Sequence, residues 1–165
     1  MKRITLAIAI LTMALAVNAQ KFGHITAEAL LQVMPEYDSV QVALQQLQQD
    51  YSLEIERIQV EINKKIEEFN QTEATMSDLI REAKASEIQE MQVRLQNFTQ
   101  TAQQDLQQQS MAMVQPVMEK IRKAIAAVAK ENGLIYVFDM SQGNPVYASE
   151  ESVDVLPLVK TKLGL

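Results

Sequence analysis

The chain has 165 residues, with 21 acidic against 15 basic side chains, a formal charge of −6, one histidine, no cysteine and no tryptophan. Without cysteine there is no disulfide and no thiolate chemistry. The acidic balance argues against nucleic acid as a partner, because phosphate binding needs a basic face.

The chain opens MKR, then ITLAIAILTMALAV, then NAQ: a basic start, an apolar run and a small-residue cleavage site. The apolar run is shorter than the roughly 20 residues a spanning helix needs. Residues 1–19 are therefore expected to be an export signal, cleaved after Ala19. Loss of Lys2 and Arg3 leaves 13 basic against 21 acidic side chains, a charge of −8. No later apolar run is long enough to give stable membrane insertion.

KFGHIT, Lys21 to Thr26, reads as a short strand, and AEALLQVM as a short helix that Thr26 could cap. Pro35 separates it from the next element. From Ser39 to Phe69 the apolar residues fall at Val40, Leu44, Leu47, Tyr51, Ile55, Ile58, Ile62, Ile66 and Phe69. The pattern is a helical stripe repeating every eleven residues, which favours a nearly straight or slightly right-handed supercoil. Asn70 to Asp78, rich in Thr, Ser, Asn and Asp, breaks the stripe and is read as a hairpin tip. A second helix runs from Leu79 to Glu131 and carries two lines of the same period. One is Ile80, Met91, Ala102, Met113 and Ala124; the other is Leu95, Leu106, Val117 and Val128. Pro116 should kink this helix, and Asn132-Gly133 should end it. Two helices of matching period joined by a polar turn should pack as an antiparallel hairpin.

The composition then changes. LIYVF, Leu134 to Phe138, reads as a buried strand, DMSQGNP as a turn, and VYA, Val146 to Ala148, as a returning strand. VDVLPLVKTKLGL reads as a final helix with Pro157 at its first position. The expected fold class is mostly α with a small β body (α+β). The body comprises residues 20–38 and 117–165, and the long antiparallel hairpin residues 39–116, with its tip near 70–78. So few short strands leave open edges and bury little, and small bodies of this kind need disulfides, metal or oligomerisation. Disulfides are impossible and metal ligands are lacking, so oligomerisation through the strands is expected. Ile25, Leu134, Tyr136, Phe138 and Val146 belong to that oligomerising body.

KFGHI, a proline about ten residues on, the long hairpin low in aromatics, IRKAIAAVAKENGLIYVFD, VYA and VDV together resemble the Skp/OmpH family of periplasmic chaperones. The resemblance covers the whole exported chain and is specific at its two ends. It implies a trimer, a "jellyfish" whose strands form a small barrel and whose hairpins extend like tentacles around a cavity. It also implies a periplasmic location and an ATP-independent holdase activity toward unfolded outer-membrane proteins. The best-known members are basic, whereas residues 50–90 here carry 11 acidic against 5 basic side chains. A lipopolysaccharide site is therefore not carried over. A structural coiled-coil spacer or scaffold of the cell envelope is the alternative.

No constellation for catalysis is present, and no cofactor-binding motif: His24 stands alone in a predicted strand and is read as structural, and Asp139 as a turn former. Apolar residues off the stripe are more informative, because hairpin pairing cannot bury them. Val42, Leu53 and Val60 share one face, and Val93 and Met111, eighteen residues apart, share another. Leu53, Val60, Met76, Val93 and Met111 are the candidate client contacts. The glutamine-rich stretch Gln96 to Pro116 holds one charged residue, Asp105. It continues the stripe and is therefore helix, with outer faces that hydrogen-bond but carry little charge.

Overall fold

The structure, a computed structural model, describes residues 21–141, 143 and 145–165. The expected export signal and its cleavage point lie outside the described residues, as do Gln142 and Asn144 of the expected turn. The described chain is mostly helical and has one three-stranded sheet. Its elements are β1 (Lys21–Ile25), α1 (Ala27–Leu31), α2 (Pro35–Thr72), a 3₁₀ turn (Glu73–Thr75), α3 (Asp78–Glu131), β2 (Leu134–Asp139), β3 (Val153–Asp154) and α4 (Leu156–Leu163). The chain divides into two compact units, one of residues 21–33 with 119–165 and one of Met34–Met118.

In the first unit the strand order is β2-β1-β3, and both neighbours run parallel to β1. Phe22 pairs with Tyr136, Gly23 with Val137 and His24 with Phe138, while Gly23 and His24 also pair with Val153 and Asp154. Side chains alternate across a strand, so Gly23 and Ile25 face inward and Phe22 and His24 outward. The inner face is the core: Ile25, Ala27 and Leu30, with Val155 and Val159, and Ile121, Ala124 and Val128 from the end of α3, are all buried. The spacing of these last three puts them on one side of α3. Gly23 is fixed by close approach. A Cβ there would lie 2.8 Å from Leu134 Cδ1, 3.2 Å from Val155 Cγ1 and 3.3 Å from the Val153 carbonyl oxygen.

Two strand expectations are corrected. Val146 to Ala148 is not a strand; the third strand is Val153–Asp154, inside the segment read as the start of the last helix. The chain does not fold back onto β2. It crosses to the far side of β1, where Val155 donates its N–H to His24 O at 3.0 Å and buries its side chain. The apolar-polar-apolar alternation Val153-Asp154-Val155 was the signal for this. β2, read as buried, is an edge strand on which Ile135, Tyr136 and Phe138 are exposed. A continuous apolar run cannot by itself distinguish a strand covered by its own chain from one left open.

Helix starts also differ. Pro35 does not separate two elements; it opens α2, where its missing N–H costs nothing. α4 begins at Leu156, one residue before Pro157, and Asp154 Oδ1 accepts the Leu156 N–H at 2.9 Å. Thr26 makes no side-chain cap to α1. The cap arrives from the end of β2: Asp139 Oδ1 accepts the Ala27 N–H at 3.2 Å, and Ser141 Oγ accepts the Glu28 N–H at 3.0 Å. Asp139 Oδ1 also accepts the Ser141 N–H at 2.9 Å and the Ser141 hydroxyl at 2.6 Å. It forms the turn and ties the two ends of the sequence together.

Burial pushes the Asp139 carboxyl up, but the bonds from the Ser141 hydroxyl and from the Ser141 and Ala27 N–H groups outweigh it and hold the carboxyl below its ordinary value. A carboxylate depressed by folding stabilises fully above its unfolded pKa of about 3.9, and that contribution is lost as pH falls through the lower folded value. Asp139→Asn is therefore expected to melt earlier at neutral pH and to lose less stability between neutral and acid pH than the parent. Near-ultraviolet circular dichroism melts across that range check this; parallel curves for the two proteins would refute it.

In the second unit the eleven-residue stripe of α2 is covered along its length. Ile58 and Ile62 are buried, and Val40, Leu44, Leu47, Tyr51, Ile55, Ile66 and Phe69 are half-buried. On α3, Ala102 and Val117 are buried and Met91, Leu95, Leu106 and Met113 half-buried, but Ile80, in the first turn, is exposed. α3 runs unbroken through Pro116. Gly133 follows α3 with φ 64°, and Asn132 Nδ2 donates to the Val128 carbonyl at 2.8 Å, which closes the helix end.

Candidate functional site

Among the described residues no group of His, Asp or Glu side chains is placed to hold a metal ion; two exposed apolar surfaces are the candidates. The first is the outer face of the sheet. Phe22 and Tyr136 stack with ring centroids 6.3 Å apart and planes 7° from parallel. Phe138 lies 6.3 Å from Phe22 and 6.1 Å from Tyr136. Cross-strand register places these rings side by side, and paired rings gain energy beyond their buried area. All three are exposed, Tyr136 at 61 %. Beside them the segment from Pro145 to Ser152 walls a groove of about 280 Å³ that Phe22, His24 and Phe138 floor. His24 Nδ1 meets Ser152 Oγ at 2.9 Å, which pins that segment to β1.

The expected body residues thus split. Ile25 is buried within the single chain and Leu134 half-buried, packed close to Gly23. Tyr136 and Phe138 share the open face. Val146 lies outside any strand and is 93 % exposed. Phe22 and Tyr147 also line the groove and were missed. The signal for Phe22 was its alternation with Gly23 and Ile25. Tyr147 had none, because its place depends on how the loop crosses.

The second surface is on the long helices. Tyr51 is the polar centre of their contact: its hydroxyl donates to Asp105 Oδ2 at 2.5 Å, and its ring meets Phe98 edge-on at 6.2 Å. The Asp105 carboxylate, by this hydrogen bond first and its charge last, with burial between, holds the phenol above its ordinary range. Gln48, Tyr51, Ser52 and Ile55 face Thr99, Ala102, Gln103 and Leu106 around a cleft of about 200 Å³. Lys65 Nζ meets Glu87 Oε1 at 2.6 Å. That bond raises the ammonium and lowers the carboxyl, although pairs this exposed stabilise little.

Off the stripe, Leu53 is 57 %, Val60 61 % and Met111 61 % exposed, and Val42 and Val93 are open as well. Met76, after the 3₁₀ turn, is half-buried. Leu79 and Ile80 beside it are exposed and were missed. Ile80 was assigned to the stripe by its spacing, but the first turn of α3 leaves it open. Leu53 and Val60 lie two turns apart on one side of α2, and Val93 and Met111 share a side of α3. Nothing among the described residues covers them.

The family model described as outer membrane protein (OmpH-like) matches residues 21–163. Among solved structures, a proposed outer membrane chaperone (OmpH-like) from Caulobacter crescentus superposes with a TM-score of 0.75 at 13% identity, covering 87% of this chain and 83% of that chain. No curated protein matches the sequence.

Proposed function

Because the chain belongs to the OmpH-like family, whose model spans residues 21–163, we propose that it is an ATP-independent holdase. In this reading it is exported to the periplasm, assembles as a homotrimer through the sheet, binds unfolded outer-membrane or envelope proteins and prevents their aggregation. It needs no cofactor and performs no catalysis. The similar Caulobacter protein, itself described as an OmpH-like chaperone, supports the assignment.

The observation that carries the reading is apolar surface on the helices that their own packing does not use. A spacer needs only its stripe, which on α2 is already covered; Leu53, Val60, Val93 and Met111 remain open outside it. Around them the wall is largely glutamine, a good helix former that hydrogen-bonds without charge. Many weak contacts on such a wall hold a client by multivalency and still release it. Methionine suits this role because its flexible thioether adapts to varied shapes. We read α2 and α3 as an antiparallel hairpin turning at residues 73–77. The cross-helix partners support this: Lys65, nearer the turn, meets Glu87, and Tyr51, farther from it, meets Asp105.

The test dilutes a urea-unfolded outer-membrane β-barrel into buffer with the protein and follows light scattering. Suppression at one assembly per client is expected, and none would count against the holdase. Replacing Leu53, Val60, Val93 and Met111 together with glutamine is expected to weaken client affinity at least tenfold while helicity persists. Each site forfeits a fraction of the 1.5–3 kcal/mol that burying such a side chain gives. Equal affinity for parent and variant, by fluorescence anisotropy of a labelled client, would remove these residues from the contact surface.

A further inference from the structure

The long helices are acidic in a particular way. Between residues 50 and 90 stand five basic side chains, and four are already engaged: Arg57 with Glu54, Lys64 with Glu68, Lys65 with Glu87 and Arg81 with Asp78. Among the described residues Glu56, Glu61, Glu67, Glu82 and Glu90 have no ion pair. The net charge of this region therefore faces solvent uncompensated.

Those carboxylates are interleaved with the open apolar side chains. Glu56 sits one turn from both Leu53 and Val60, and Glu67 two turns beyond Val60, on the same side of α2. On α3, Glu90 and Val93 line one shallow depression of about 290 Å³ with Ser86 and Gln89. Leu53 and Val60 on α2 and Val93 on α3 thus each have a carboxylate without an ion pair one turn away. At physiological ionic strength the screening length is about 8 Å, so anything seated on Val60 or Val93 lies within reach of these carboxylates, with their field reduced but not removed.

We propose that this surface selects its partner by charge: non-native polypeptide in which lysine or arginine alternates with apolar residues, in preference to equally apolar acidic chain. This rests on the holdase reading and names the client class for it. The apolar side chains give contact, and the carboxylates attract basic segments and repel acidic ones. A single exposed ion pair gives little. A field of like charges acts instead on encounter rate and on the exclusion of wrong partners, and it multiplies over many weak contacts.

The experiment uses the exported chain and three dye-labelled, 20-residue unfolded peptides with identical apolar positions. Their polar positions are all lysine, all glutamine or all glutamate. Fluorescence anisotropy gives the affinity of each at 50 mM and 500 mM sodium chloride. The lysine peptide is expected to bind at least about tenfold tighter than the glutamate peptide in low salt, with the difference falling below about threefold in high salt as screening shortens. In the protein carrying Glu56→Gln, Glu61→Gln, Glu67→Gln, Glu82→Gln and Glu90→Gln, the low-salt preference should also fall below about threefold. Glutamine keeps the helix, and circular dichroism verifies this. Equal binding of the lysine and glutamate peptides, or a preference that survives the five substitutions, overturns the charge selection and leaves the holdase standing. Failure to bind any peptide, together with failure to suppress β-barrel aggregation, removes the holdase reading itself.

Discussion

Tyr136→Ser with Phe138→Ser is expected to turn the proposed homotrimer into a monomer. These rings lie on the open face of an edge strand and stack with Phe22. Parallel sheets are normally covered on both faces, and this one is covered by its own chain on the inner face. A contiguous aromatic patch of this kind marks an interaction site. About half of each ring remains to be buried, roughly 200 Å² for the pair, or about 5 kcal/mol per copy. Such a loss lowers an association constant more than a thousandfold. Both side chains are exposed in the single chain, so their replacement empties no core, and helicity should persist. Sedimentation over a hundredfold range of concentration reads the result. A trimer that survives the double substitution would show that the copies meet elsewhere, and the proposed assembly through the sheet would fall.

Leu30→Ala is expected to destabilise the sheet-bearing unit by about 2–5 kcal/mol. Leu30 is fully buried on a five-residue helix, with Ile25, Val155 and Val159 also buried around that small core. Where in that range the loss falls depends on how far the neighbouring side chains close over the lost atoms. Leu158, next to Val159 on α4, is 41 % exposed, and Leu158→Ala should change stability by about 0.5 kcal/mol or less. Urea unfolding at one fixed protomer concentration compares the two, because assembly makes apparent stability concentration-dependent. Equal midpoints for the two variants would contradict the burial pattern.

The long helices were legible because periodicity is a local property. Every stripe residue from Val40 to Phe69 is at least half-covered, and the apolar residues off that line are open. The same argument failed at Ile80, where the spacing fits but the first turn of α3 leaves the side chain uncovered. The sheet was legible only in part. Lys21–Ile25 and Leu134–Asp139 are strands as the apolar runs indicated, but the third strand was placed at Val146 to Ala148 instead of Val153–Asp154. A turn signal says that the chain reverses and does not say which strand it meets. Of the candidate contacts, Leu53, Val60, Val93 and Met111 followed from their place off the stripe. The Phe22 and Tyr147 groove did not, because it is made by residues more than a hundred positions apart.

The sequence by itself determined the helices, their common eleven-residue seam, the acidic charge and the absence of any disulfide, since each depends on residue type and spacing along the chain. Only the tertiary structure decided that β1 lies between two parallel neighbours, that Asp139 caps a helix 112 positions earlier, and that Tyr136 and Phe138 face outward. Strand order and cap partners are choices among long-range pairings of similar local cost. They are settled by contacts between segments far apart in sequence, such as the approach of Leu134 and Val155 to Gly23, where a Cβ would lie 2.8 Å from Leu134 Cδ1 and 3.2 Å from Val155 Cγ1.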